Sequence, residues 1–263
     1  MIRALYTAAS GMQAQQLNLD NVANNLANAS TAGFRKRRLQ FQDLMYQNMI
    51  APGSAASQDT TNAAGLQIGL GTRTIATEVL QTQGDFQQTG NPLDLTIQGQ
   101  GFFQIKRPNG EIAYTRAGSF HMDAQGNMVT ADGDALEPGI TLPTNAQSIS
   151  VGKDGTVTAS IPGQSAPQQV GQIQLATFAN PGGLNSLGGS LFAATAASGQ
   201  AVTGNPGGTE GIGSLLQGSL ENSNVNMVEE FVQMISAQRS YEANSRVVRA
   251  ADEMLQQIGQ MAR

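Results

Sequence analysis

The chain has 263 residues, enough for one large domain or two modest ones, and only 13% of them are charged. Its formal net charge of −5 argues against general nucleic-acid binding, and the absence of cysteine excludes disulfides and thiolate metal sites. No secretory signal peptide and no integral membrane segment are predicted, because no stretch of the chain is continuously apolar over the required length.

The first predicted element is a long helix over residues 1–33. Apolar residues recur in it every seven positions, and a second row lies three residues earlier, which is the a/d pattern of a coiled coil. We expect the helix to end near Gly33, because glycine suits the left-handed conformation that follows many helices. The predicted coiled-coil seam of this helix consists of Leu5, Met12, Leu19 and Leu26.

The middle of the chain has the pattern of a β protein. Residues 34–84 are predicted as an irregular or β connecting region that includes a polar, turn-rich stretch, and residues 85–204 as a β-rich outer domain. Short β-like runs alternate there with turns, as in "FFQIK" and "IAYTR" separated by "RPNG", so antiparallel hairpins are expected rather than βαβ units. Residues 205–224 are predicted as a return connection.

The last predicted element is a helix over residues 225–263. Asn226 followed by Glu229 is typical of a helix N-cap, with Asn in place of Ser or Thr. The fold class is therefore α+β, with long terminal helices that pair as a coiled coil and a central, mostly antiparallel β-rich domain. The predicted seam of the second helix consists of Met227, Phe231, Met234, Tyr241, Val248 and Leu255.

The sequence offers little catalytic chemistry. His121 is the only histidine, so a histidine-activated nucleophile or a multi-histidine metal site cannot be built. Asp123, Gln125 and Asn127 have calcium-loop spacing, but the required glycine and the twelfth-position Glu are missing, so a turn is predicted. We expect no enzyme activity, no catalytic residues, no metal and no cofactor.

One dense basic cluster, residues 35–38, follows the first helix. An anionic partner surface is one interpretation of it. A solvated or inter-subunit charge patch beyond a helix C-terminus is the other, and the acidic balance of the chain favours it.

Three stretches resemble the signatures of bacterial flagellar rod and hook proteins. They are "TAASGMQAQQLNLDNVANNLANASTAGFRKRR", "GDFQQTGNPLDLTIQGQGFFQI" and "NSNVNMVEEFVQMISAQRSYEANSRVV". Within this family the likeness is to the distal rod members, because "LMYQNMIAPGSAASQDTTNAAGLQIGLGTR" resembles their extra segment, which corresponds here to residues 46–65. A proximal rod or hook-type subunit is the nearest alternative, and a secreted adhesin or effector is a more distant one.

The resemblance implies a structural subunit that self-assembles into a helical tube and transmits motor torque across the periplasm and outer membrane. It implies export by the flagellar type III apparatus without a cleaved signal peptide, and a place in the basal body. The implied partners are further copies of the chain, proximal rod proteins, hook protein, and the P-ring and L-ring proteins; nucleic acid is not among them.

A tube also suggests a role for the many asparagines of the first helix. Asparagine is a weak helix former, but its amide can hydrogen-bond between subunits without placing like charges in a repeating contact. An Asn-rich solvent face on an ordinary intramolecular coiled coil is the alternative. The predicted inter-subunit amides are Asn21, Asn24, Asn25 and Asn28.

Overall fold

The computed structural model describes residues 2–53, 55–57, 60–61, 63–163, 166–208 and 211–261. The chain forms two compact units, each assembled from separate segments. The helical unit comprises Met1–Ala27, Arg37–Glu78 and Asn226–Arg263, and the β unit comprises Asn28–Lys36 and Val79–Val225. Two long terminal helices and a central antiparallel β-rich region confirm the predicted α+β class.

The two helices are α1, Ile2–Ala27, and α2, Met227–Met261. α1 ends six residues before Gly33, where the sequence analysis placed its end. The reason is local: Thr31 donates its amide to the Asn28 carbonyl and its hydroxyl to the Asn28 side chain, and such bonds compete with helix continuation. α2 begins at Met227, directly after Asn226, whose Oδ1 accepts the Val228 amide at 3.0 Å.

A nested ribbon of strands forms the rest of the helical unit. β1 pairs with β6, β2 pairs antiparallel with β5, and β3 with β4, so the chain runs out and returns. The polar, turn-rich stretch of the connecting region contains paired strands, although Ser54, Gln58, Asp59 and Asn62 of segment 46–65 lie outside the described residues. The strands are β1 Arg37–Asp43, β2 Tyr46–Ile50, β3 Ala55–Ser57, β4 Thr60–Thr61, β5 Leu66–Gly69 and β6 Thr72–Val79.

The β unit contains sixteen further strands and one short 3-10 helix, Pro181–Gly183. Its largest sheet has the order β11-β12-β13-β9-β10-β19-β18, with β17 joining β9 to β20. The strands are β7 Phe86–Gln88, β8 Leu95–Gln98, β9 Phe102–Lys106, β10 Ile112–Thr115, β11 His121–Met122, β12 Met128–Val129, β13 Ala135–Glu137, β14 Ser148–Val151, β15 Thr156–Ser160, β16 Gln168–Gln172, β17 Leu175–Thr177, β18 Asn185–Gly188, β19 Leu191–Ala193, β20 Val202–Gly204, β21 Ser214–Gln217 and β22 Ser219–Glu221.

The predicted hairpins of the central region are confirmed. β9 pairs antiparallel with β10 across "RPNG", β11 with β12, and β14 with β15. The interval 205–224, predicted as a return connection, contains two strands: β21 pairs with β8 and β22 with β7.

Alternating side chains of β9 divide the interior of the β unit into two clusters. Phe103 and Ile105 belong to the larger cluster, in which Phe103 meets Phe120 edge-to-face at 5.1 Å between ring centroids. Phe102 belongs to the smaller cluster and meets Phe178 at 5.9 Å. Opposite faces of one strand thus bury apolar residues, as expected of a strand covered on both sides.

The first and last segments of the β unit are tied to each other. The Lys36 amide donates to Asn224 Oδ1 at 2.6 Å, and Asn224 Nδ2 donates to the carbonyls of Leu80 and Thr82. The Gly33 amide donates to the Glu221 carbonyl at 2.8 Å. One asparagine therefore joins segments that are far apart in the sequence.

Candidate assembly surface

α1 and α2 pack against each other in antiparallel orientation. Asn25 of α1 hydrogen-bonds to Glu230 near the start of α2, whereas a Cβ on Gly11 would lie 2.8 Å from the side-chain nitrogen of Asn244, further along α2. The apolar side chains buried in the two helices are small, which allows a close approach: Ala8, Ala14 and Val22 in α1, and Ala237 and Ala251 in α2.

The predicted seam residues lie beside this buried line or outside it. Leu5, Met12, Leu19 and Leu26 of α1 are half-buried, as are Met234 and Val248 of α2. Met227, Phe231, Tyr241 and Leu255 are exposed. On α2 the buried row is Glu230, Ala237 and Ala251, one position before the row that starts at Phe231, so the heptad coiled coil stays a prediction.

Asn25 is the centre of a buried polar contact in the helical unit. Its Nδ2 donates to the Arg37 carbonyl at 2.9 Å and to Glu230 Oε2 at 3.1 Å, while its Oδ1 accepts the Arg37 amide at 3.0 Å. Asn21 also donates to the Arg37 carbonyl. These two amides therefore bind β1 to the helix pair within one chain, a role that nothing in their sequence context distinguished from the other asparagines.

The remaining predicted amides and the Gly33 cap differ in their exposure to solvent. Asn24 is exposed, and Asn28 is half-buried and accepts the Thr31 hydroxyl. Gly33 is buried with φ +69°, and a Cβ there would meet the backbone of Ala117. A role between subunits for the four asparagines stays a prediction.

The outer side of α2 is apolar in its first half. Val228, Phe231, Val232 and Ile235 are exposed by 72, 50, 62 and 52%, respectively. Further along the helix Val247, Met254, Ile258 and Met261 are also exposed. Contiguous apolar surface of this kind is uncommon on a soluble monomer and makes this side of α2 a candidate contact surface for another macromolecule.

The strand ribbon of the helical unit has the same character. Met45, Tyr46, Met49 and Ile50 are exposed on one arm of the ribbon, and Leu66 and Leu70 on the other. Two-stranded ribbons have few neighbours to cover their side chains, which explains the exposure. Most exposed large apolar residues of the described chain thus belong to the helical unit, although it is the smaller unit.

The basic cluster 35–38 does not form one charged patch. Arg35 is buried in the β unit, whereas Arg38 is exposed in the helical unit and pairs with Glu78 at 2.7 Å. Hydrogen bonds from Arg38 and then from Gln40 lower the pKa of the Glu78 carboxyl. Arg35 and Arg38 of the basic cluster therefore take part in separate local contacts.

The β unit contains a buried ionic group that the sequence analysis did not anticipate. Arg35 Nη2 lies 2.7 Å from Glu221 Oε1, and Arg116 Nε lies 3.0 Å from Glu221 Oε2. Arg116 also donates to the carbonyls of Ile97, Gly99 and Gly101. Burial lowers the pKa of Arg116, and the Glu221 carboxylate opposes this effect. Residues so distant in sequence carry no local signal that would have paired them.

The segment with calcium-loop spacing, residues 123–127, is a turn between two strands of the β unit. Asp123 Oδ1 accepts the amides of Gln125 and Asn127, so the predicted turn is confirmed at the site with calcium-like spacing. Within the described ranges, no three His, Asp or Glu side chains gather as a metal site. Neither α1 nor α2, over its described residues, is apolar enough to span a lipid bilayer.

Comparison with known families places three segments of the chain in one class of protein. Residues 5–35 match the model "Flagella basal body rod protein", residues 96–159 the "Flagellar hook protein FlgE/F/G D1 domain", and residues 216–261 the "Flagellar basal body rod FlgEFG protein C-terminal". The matches include both terminal helices and much of the β unit. They define a protein of the flagellar rod and hook class.

Full-length relatives narrow the class. The flagellar basal-body rod protein FlgG of Caulobacter vibrioides is 49% identical, with 99% of both chains covered. FlgG of Borreliella burgdorferi is 46% identical over 97% of both chains, and FlgG of Bacillus subtilis is 41% identical over 100% of both. The chain belongs to the FlgG family of flagellar basal-body rod proteins, which are structural proteins.

Proposed function

We propose that this protein is a subunit of the distal rod, and that copies of it assemble through the helical unit into a helical tube. The tube transmits motor torque to the hook. In this proposal the chain is exported by the flagellar type III route without a cleaved signal peptide. Its partners are proximal rod proteins, hook protein, and the P-ring and L-ring proteins.

The observation that supports this proposal is the uneven distribution of exposed apolar side chains. The β unit closes two clusters of its own, with Phe103, Ile105 and Leu136 fully buried. The helical unit instead leaves Val228, Val232 and much of its ribbon exposed. Covering such a surface is a favourable contribution to association, roughly 25 cal/mol per Å² of apolar area removed from water. A second copy of the chain is the partner that a tube supplies at every position.

Charge supports the same conclusion. α1 contains only Arg3 and Asp20 as charged residues, so few like-charge pairs can form where this helix contacts copies of the chain. In a heterologous contact that repeats along a helix, each unfavourable pair would recur at every subunit. The predicted seam leucines of α1 and the amides of Asn24 and Asn28 are the residues that we assign to these contacts, because Asn21 and Asn25 bind Arg37 within the chain.

Val232→Asp provides the test. Val232 is 62% exposed in one chain, so the substitution should leave both units folded, while a carboxylate buried in each subunit contact costs several kcal/mol. Gln233→Asp introduces the same charge at the next exposed position and serves as the matched control. Each variant would be expressed in cells that lack the wild-type protein, and basal bodies would be purified for electron microscopy.

We expect both variants to be synthesised and exported, but only Gln233→Asp to give complete rods with hooks. Rods of normal length from Val232→Asp would contradict assembly through this surface. If an epitope tag on the wild-type chain were detected only in the proximal segment of the rod, the distal assignment would be wrong. The proposed assembly surface would not be contradicted by that result.

A further inference from the structure

A cleft of about 260 Å³ lies in the β unit beside the buried ionic group. Two arginines line it, together with two aromatic rings, and none of the described acidic side chains does. Its lining includes Arg35, Arg116, Phe102, Phe178, Gln83 and Gln100.

The charges around this cleft do not balance. Arg35 and Arg116 have side chains that are 1 and 4% exposed, and both pair with the single carboxylate of Glu221. Two guanidinium groups and one carboxylate leave one excess positive charge in a buried location. Uncompensated charge is strongly unfavourable there, so an anion in the cleft would stabilise the unit.

The hydrogen bonds identify Arg35 as the incomplete partner. Arg116 uses its donors on Glu221 and three backbone carbonyls. Arg35 donates through Nη2 to Glu221, but its buried Nε and Nη1 have no hydrogen-bond acceptor among the residues that the structure describes. Guanidinium N–H groups are strong donors that prefer carboxylate or phosphate oxygens.

The other side chains of the cleft restrict the ligand further. Gln83 is occupied, because it donates to the Ile97 carbonyl and accepts the Gly99 amide. Phe102 and Phe178 provide an apolar wall, with their rings 5.9 Å apart. One excess charge is matched by a monoanion, whereas a phosphate dianion would reverse the imbalance.

We propose that this cleft binds a carboxylate, whose negative charge offsets the excess positive charge of Arg35 and Arg116 while its apolar body lies against Phe178. The carboxylate belongs either to a small free organic acid or to an acidic side chain of another copy of the chain. The site does not require assembly, so it stands or falls independently of the proposed function.

The test measures ligand-dependent melting of the full-length chain at a concentration where it is monomeric. Benzoate and acetate are the probes, and chloride at equal ionic strength is the reference. We expect benzoate to raise the melting temperature saturably and Arg35→Gln to weaken its binding at least tenfold. Inorganic phosphate should have no effect beyond that of chloride; phosphate binding without benzoate binding would overturn the carboxylate assignment.

A second variant keeps the test valid if Arg35→Gln fails to fold. Gln100→Glu places a carboxylate at the exposed edge of the cleft, so it should raise the melting temperature without ligand and weaken benzoate binding at least tenfold. Gln98→Glu makes the same change on an exposed residue outside the cleft and should bind benzoate within twofold of wild type. Absence of saturable benzoate binding to the wild type, or wild-type binding by Gln100→Glu, would overturn the proposal.

Assembly assays then distinguish the two sources of the carboxylate. If an acidic side chain of a neighbouring copy fills the cleft, benzoate should slow polymerisation of the wild type and Gln100→Glu should polymerise slowly without it. If a free acid is the ligand, polymerisation should be the same with and without benzoate. Either result is compatible with the site and assigns its ligand.

Discussion

Glu221→Gln should destabilise the β unit more than any other single change in the buried ionic group. The wild-type group has one excess positive charge, and the substitution raises this to two. It also replaces one carboxylate oxygen by an amide nitrogen. Glu221 Oε1 accepts hydrogen bonds from the Gly84 amide, at 2.9 Å, and from Arg35, and Oε2 accepts one from Arg116. Removing one partner of a buried ion pair costs ~3–5 kcal/mol.

The stability of the related variants should follow the same count of buried charges. Arg35→Gln leaves a neutral pair of Arg116 and Glu221, so its cost should be smaller, ~1–2 kcal/mol for the lost hydrogen bond. The double variant Arg35→Gln with Glu221→Gln returns to one excess charge, and should therefore be more stable than Glu221→Gln alone. The two substitutions are thus expected to be strongly non-additive.

Differential scanning calorimetry of the full-length chain measures these differences. For a unit of this size ~1 kcal/mol corresponds to ~2–4 °C, so a cost of ~3–5 kcal/mol should lower the β-unit transition of Glu221→Gln by ~6–20 °C. Glu111→Gln, an exposed carboxylate in a turn, is the control and should remain within ~0.5 kcal/mol of wild type. The reasoning is refuted if Arg35→Gln is less stable than Glu221→Gln, or if the double variant is the least stable of the three.

Three further predictions concern single residues. Hydrogen bonds from the Asn127 side chain and amide lower the pKa of Asp123. The stability that this carboxylate contributes is therefore present above its ordinary pKa and is lost as the pH falls through the lowered value. Carbon-13 NMR titration of Asp123 should show a midpoint below 3.8. Gly33→Ala should lower the melting temperature of the β unit by the equivalent of ~1–3 kcal/mol, because φ is +69° and the new Cβ meets the Ala117 backbone; an unchanged calorimetric transition would contradict this. Asn25→Leu should cost the helical unit ~2–4 kcal/mol, since two backbone groups of β1 lose buried partners; hydrogen exchange at the Arg37 amide should accelerate, and unchanged exchange would show that the contact is dispensable.

Local chemistry made parts of this fold predictable from the sequence. The turn between β9 and β10 needs a residue that accepts a positive φ, and Gly110 provides it with φ +83°. Asn226 caps α2 because its side-chain oxygen reaches amides only two and three residues away. In both cases the interacting groups are close in the sequence, so the local sequence pattern is enough to predict the contact.

Contacts between distant residues were not predictable in the same way. Periodicity showed that α2 has apolar residues on several sides, but could not show that Ala237 and Ala251 would be buried while Phe231 stayed half exposed. Small residues contribute little to an apolar pattern, yet they decide how closely two helices approach. The buried ionic group was not predictable for a related reason. In the sequence Arg35 belongs to a cluster of basic residues, and only the fold brings Glu221 to it.

The bond between Lys36 and Asn224 has a consequence for the order of folding. α1 ends at Ala27 and α2 begins at Met227, so in the unfolded chain their pairing must close a loop that spans most of the sequence. Once the β unit has folded, Lys36 and Asn224 are held together, and only a short tether separates each helix from that point. Shortening the loop from ~200 to ~12 residues lowers the entropic cost of closure by about 2–3 kcal/mol. We therefore expect the β unit to fold first and to act as a template that turns the most distant helix pair of the chain into a nearly local one.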